Sequence, residues 1–113
     1  MMLATFALAA ALDMAAPAAP LPQQAPPPAA ASDAASHIDA GLAAYKRRRF
    51  QEAERHLQAA VNADPQSAAA HYYLGYVIYK IAEPKRPFHP DKQRAADHFA
   101  KAYELDPTFR PSW

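Results

Sequence analysis

The segment PFHPDKQRAADHFAKAYELDP, residues 87–107, decides the fold, because it can be read alone or as one copy of something repeated. From Ala95 onward, small and apolar residues recur at helical spacing, and Asp106-Pro107 closes the run. A shift of 42 residues lays Ala53 on Ala95, Leu57 on Phe99, Ala60 on Ala102, Asp64 on Asp106 and Pro65 on Pro107. Upstream, a shift of 34 lays Ile38 on Tyr72, Gly41 on Gly75, Leu42 on Tyr76, Tyr45 on Tyr79 and Lys46 on Lys80. The only two glycines of the chain coincide. Two copies of one unit are therefore present, and the second carries extra residues between its halves.

Each half of a copy reads as a helix. Ile38, Leu42 and Tyr45 recur at spacings of four and three, and after the polar break of residues 46–49 so do Phe50, Ala53, Leu57, Ala60 and Val61. Asp64-Pro65 ends the unit, since a residue before proline is pushed out of helical dihedrals. Gly41 and Ala53 are expected where the two antiparallel helices of a hairpin come close. The chain is thus all-α, with two helix-turn-helix hairpins following an Ala/Pro-rich N-terminus expected to be disordered.

These positions resemble the tetratricopeptide repeat, a helix hairpin of 34 residues with small residues, an aromatic or Leu, and a terminal proline at fixed offsets. Gly41, Ala53, Leu57, Ala60 and Pro65 match it in the first copy; Leu74, Gly75, Ala95, Phe99, Ala102 and Pro107 match it in the second. His37 and His71 stand where that family often has Trp, and Trp113 stands at the matching place of a third repeat. The resemblance gives repeat one as residues 34–67 and repeat two as 68–109, with an inserted turn at 83–94 and a tail at 110–113. A second resemblance runs through His89-Pro90-Asp91, the tripeptide of J-domain co-chaperones, where it follows directly on a long basic helix. Pro84 and Pro87 keep such a helix from reaching His89. The repeat is the stronger reading, and a degenerate co-chaperone resting on His89 is kept as an alternative.

What the repeat resemblance implies is a protein-binding adaptor, with first helices lining a concave groove for a peptide or a partner helix. The groove residues would be Ile38, Leu42, Tyr45 and Lys46 in copy one, and Tyr72, Tyr76, Tyr79 and Lys80 in copy two. Residues 72, 76 and 79 share one helix face on spacing alone. Tyrosine offers a large contact area at low rotamer cost together with a hydroxyl, which suits peptide recognition. Tyr73, on another face, is expected in the core. Repeats that clamp the acidic tails of heat-shock chaperones place Lys and Asn where this chain has Ile38, Leu42 and Tyr73, so a more apolar ligand is expected.

A second candidate surface is a basic edge: Arg47, Arg48 and Arg49 beside Lys46 in the first turn, and Lys85, Arg86, Lys92 and Arg94 in the second. It would serve an envelope protein that holds anionic lipid or polymer. Only Phe88 interleaves these charges with an aromatic ring, and twelve Lys and Arg stand against eleven Asp and Glu, so nucleic acid is the weaker partner. Pro84, Pro87 and Pro90, three apart, suggest a stiff polyproline II protrusion presenting Phe88 and His89. No thiolate site exists without cysteine, and five histidines form no HExxH or related spacing; His56 and His98 read as helix-surface residues. Neither an enzyme nor a cofactor or metal is expected.

Residues 2–12 form an apolar run too short to span a bilayer yet suited to the core of a signal peptide within residues 1–16. Residues 17–33, rich in Pro and Ala, read as a linker. An exported or periplasmic protein, membrane-tethered or not, is expected; no Lys or Arg precedes the run, which leaves a cytoplasmic alternative. Two repeats also leave an apolar end beside the last helix. Trp113 folding back over that end, or a second copy making a homo-oligomer, would cover it.

Overall fold

The computed structural model describes residues 28–113, and the signal-peptide assignment and most of the linker lie outside them. Among the described residues four helices follow one another: α1 Pro28–Lys46, α2 Phe50–Ala63, α3 Ala68–Ala82 and α4 Pro90–Leu105. α1 pairs with α2 and α3 with α4, while α3 also packs on α2 and touches α1. The described chain is all-α, two hairpins in succession.

Helix α1 begins at Pro28, so residues 28–33, assigned to the linker, are its first turns. Proline is favoured in a first turn because its missing N–H is one of the donors that has no partner there, and the alanines after it propagate the helix. Its far end closes on a Schellman motif: Arg49 N donates to Ala44 O at 2.9 Å, Arg48 N donates to Tyr45 O at 2.8 Å, and Arg48 sits at φ 61. That left-handed position is usually glycine.

The core is built as the repeat requires. Ala53, Leu57 and Ala60 of α2 and Leu74, Val77 and Ile78 of α3 are essentially inaccessible. A methyl group on Gly41 would lie 2.6 Å from Leu57 Cγ, and one on Gly75 would lie 3.1 Å from Ala95 O. Gly41 thus lies where α1 closes on Leu57 of α2, and Ala53 on the same hairpin is wholly buried. Tyr73 is in the core at 4 % exposure.

The turns repeat down to their hydrogen bonds. After α2, Gln66 N donates to Asp64 Oδ1 (3.0 Å) and Ser67 N to Asp64 O (3.1 Å). After α4, Thr108 N donates to Asp106 Oδ1 (3.0 Å) and Phe109 N to Asp106 O (3.2 Å). Thr108 also donates from Oγ1 to Asp106 at 2.7 Å, which holds that carboxyl below its ordinary range. The copies then diverge. Ser67 Oγ accepts from Ala70 N at 3.1 Å and starts α3, whereas Phe109, in the position matching Ser67, has no acceptor with which to cap a helix. Residues 109–113 are non-helical.

The insertion differs from the expected protrusion. Lys85 N donates to Ala82 O (2.8 Å) and His89 N to Arg86 O (3.0 Å), so it is folded into two turns rather than polyproline II, which has no internal hydrogen bonds. It ends at His89, because Pro90 already begins α4 and residues 90–94 of the assigned turn are helical. Phe88 is 93 % exposed, but His89 is turned inward as the cap of α4, its Nδ1 accepting from Asp91 N at 3.1 Å. The tripeptide His89-Pro90-Asp91 is thus a helix start: cap, proline in the first turn, and an acid at the positive end of the helix dipole.

Candidate functional site

The faces of α1 and α3 that lie side by side carry the candidate groove. Tyr45 of α1 meets Tyr76 of α3 edge-on with ring centroids 5.8 Å apart, and Tyr76 is followed by Tyr79 at 6.1 Å. Tyr79 is 43 % exposed at the open end of the row. Ile38 and Leu42, on α1 before Tyr45, are half-buried against the core. Burial, then the neighbouring Tyr76 hydroxyl, raise the Tyr45 phenol above its ordinary value, against the lowering pull of Lys80 and Arg48. The Tyr45 phenol is thereby held as a neutral donor and acceptor at physiological pH.

Trp113 occupies this face. Its ring lies 4.8 Å from Tyr45, nearly parallel at 21°, 4.7 Å from Tyr76, 4.8 Å from Tyr73 and 6.4 Å from Tyr72. Ser112 N donates to the Tyr73 hydroxyl at 2.9 Å, which fixes the main chain of residues 107–113, the strap, just before the tryptophan. Phe109 packs between Tyr72 (5.6 Å) and Tyr73 (5.8 Å). The expectation that Trp113 would cover the end beside α4 is corrected: the strap turns back along α3, and the Tyr45–Tyr76 row receives the tryptophan. Phe109 is what lies toward α4, lining with Tyr72, Phe99 and Tyr103 a cleft of about 330 Å³.

Beyond Tyr45 the groove opens into a cationic cleft of about 200 Å³ lined by Tyr45, Lys46, Arg48, Phe50 and Lys80. Lys80 bridges Glu83 at 3.3 Å, and that carboxylate raises its pKa. Of the basic edge, Arg47, Arg48, Arg49 and Arg86 are exposed. Arg49 stands 3.7 Å from Glu52. Lys85 is bound to Asp91 at 2.8 Å, Lys92 donates to Lys85 O at 2.8 Å, and Arg94 reaches Glu54 of α2 at 3.0 Å and Asp91 at 3.2 Å. Lys85 and Arg94 together hold the Asp91 carboxyl low, Lys85 first. The edge thus carries fewer uncompensated cations than its sequence suggests, and Arg94 serves as a tie between the second helices of the two copies.

The histidines also follow the repeat. His37 stacks on His56 at 6.2 Å in the first hairpin, and His71 on His98 at 5.3 Å in the second. In the second pair His71 Nε2–H donates to Pro65 O at 2.9 Å, which leaves its Nδ1 to accept from His98 Nδ1–H at 3.1 Å. His98 is therefore an interhelix contact and not a surface residue. Its register match with His56, and that of His37 with His71, was the sequence signal for these pairs. Among the described residues no three His, Asp or Glu side chains gather to hold a metal ion, and no helix is long and apolar enough to cross a membrane.

Over 74 residues, 66 % of the chain, the sequence is 35 % identical to tetratricopeptide repeat protein 37 of Xenopus laevis. Those residues span 4 % of that protein's length. No protein-family model matches the chain.

Proposed function

We propose that the chain is a tetratricopeptide-type adaptor that binds a peptide or partner helix on the joined faces of α1 and α3. The observation that carries the reading is the row Tyr45–Tyr76–Tyr79, continuous across two helices, with an aromatic side chain from a non-helical segment already seated on it. Similarity to a tetratricopeptide repeat protein supports a protein partner in general. Hydroxyl-bearing rings, with the half-buried apolar Ile38 and Leu42 on the same helix as Tyr45, suit a partly apolar ligand that also offers main-chain hydrogen bonds.

The test is selection of a displayed random-peptide library on the full chain beside a Tyr45→Ala, Tyr76→Ala variant of unchanged helicity. Peptides that bind the parent and lose at least about tenfold in affinity on the variant support the reading, a loss of about 1.4 kcal/mol. Equal affinity for both proteins contradicts it. Export directed by residues 2–12 belongs to the same proposal, and N-terminal sequencing of the native protein tests it: a start downstream of the apolar run supports export, and retention of Met1 or Met2 argues against it.

A further inference from the structure

We infer that residues 107–113 are a built-in occupant of the groove, and that its partner is an extended peptide anchored by an aromatic side chain, tryptophan foremost, which displaces Trp113. This rests on the adaptor reading above. The strap binds as a ligand would. It places two aromatic rings four residues apart, Phe109 against Tyr72 and Tyr73 and Trp113 against Tyr45 and Tyr76, and hydrogen-bonds its own main chain to Tyr73 between them.

The strap is also lightly held. Among the described residues, the single hydrogen bond from its main chain beyond Phe109 to the helices is Ser112 N to Tyr73. Trp113 keeps 41 % of its surface open to solvent, whereas Tyr73, which it touches, keeps 4 %. Such a segment is ordered enough to fill the groove and weakly enough attached to leave it. Ring chemistry selects its competitor: the walls are tyrosines approaching Trp113 at stacked, tilted and edge-on angles, an arrangement that rewards a flat aromatic over a branched aliphatic.

Tethering makes this measurable. A segment joined by a few residues competes at an effective concentration in the millimolar range, so an outside ligand meets a reduced apparent affinity until the strap is released. The experiment titrates a fluorescein-labelled peptide of residues 106–113, DPTFRPSW, against four full-length proteins and follows anisotropy. The proteins are the parent, Trp113→Ala, Ser112→Pro, which removes the donor to Tyr73, and Trp113→Ala combined with Tyr45→Ala and Tyr76→Ala.

The inference predicts that Trp113→Ala and Ser112→Pro each bind the peptide more tightly than the parent, by about tenfold for the former. The combined variant loses that binding, and a peptide with Ala in place of its Trp fails to bind any of the four. Equal affinity of the parent and both released variants, with loss in the combined variant, overturns the built-in occupant and leaves the groove standing. Binding indifferent to Tyr45 and Tyr76 overturns the groove reading itself. No binding to either released variant, both still helical, shows that the strap has no affinity for this face and likewise overturns the inference.

Discussion

Trp113 stacks on Tyr45 with ring centroids 4.8 Å apart and planes inclined by 21°, joining residue 113 to the last turn of α1. Between them in sequence lie α2, α3 and α4; in space, the strap lies across the side-by-side faces of α1 and α3. Whatever binds there meets Trp113 first.

The hydrogen bond that anchors the strap is separable from its rings. Tyr73→Phe keeps the ring in the core and removes the acceptor for Ser112 N–H. It is expected to cost about 1 kcal/mol of stability. Thermal denaturation measures the loss, and Trp113 emission should shift toward that of the unfolded chain.

Gly41 is where α1 meets α2. An alanine methyl there would lie 2.6 Å from Leu57 Cγ and 2.9 Å from its Cδ2, and Leu57 is wholly buried, with nowhere to swing. Overpacking of this kind costs about 1–3 kcal/mol, set against about 1 kcal/mol gained from the better helix propensity of alanine. Gly41→Ala should therefore lower the urea midpoint; an unchanged or raised midpoint would show that the hairpin is looser than these distances.

Arg48 works in the opposite direction. It holds a left-handed φ of 61 in a Schellman turn that suits glycine, a conformation that costs an ordinary L-residue about 1 kcal/mol or more. Arg48→Gly should stabilise the fold by roughly 0.5–1 kcal/mol in chemical denaturation, while removing one cation from the cleft beside Tyr45. A destabilised variant would mean that the side chain contributes more than its backbone strain costs.

Acid should loosen the second hairpin. Burial first, then the electrostatic influence of the adjoining His71 ring and of Arg94, hold the His98 imidazole below its ordinary value of 6.5, while Asp97 and Glu54 pull weakly the other way. The unfolded chain therefore takes up a proton that the folded chain refuses. Stability from this group is present above about pH 6.5 and falls as pH drops toward the lower folded value. Urea midpoints at about pH 7.5 and about pH 5.5 should differ in the parent and differ less in His98→Gln. Equal pH sensitivity of the two proteins would assign the acid limb elsewhere.

The hairpins were legible because a repeat states each feature twice: Gly41 with Gly75, Leu57 with Phe99, and Asp64-Pro65 with Asp106-Pro107 fix the register and the helix ends together. The histidine pairs were carried by that same register, but a histidine one position before Leu57 or Phe99 looks like a surface residue until its partner helix is in place. The strap had no such signal. Residues 107–113 have no helical period, and their course is set by long-range ring contacts and one hydrogen bond to Tyr73. The proline spacing in the insertion misled for a related reason: two local hydrogen bonds, from Lys85 and His89, outweighed the polyproline preference.

The most direct test of the central claim, that the α1/α3 face is a binding surface already holding its own strap, uses the one tryptophan of the chain as reporter. Trp113 emission and acrylamide quenching are measured in the native chain, in the urea-unfolded chain, and in a Tyr45→Ala, Tyr76→Ala variant whose helicity matches the parent. The account predicts native emission blue-shifted and protected relative to the unfolded chain, with both effects largely lost in the variant. Native emission and quenching equal to those of the unfolded chain would place Trp113 in solvent and contradict it.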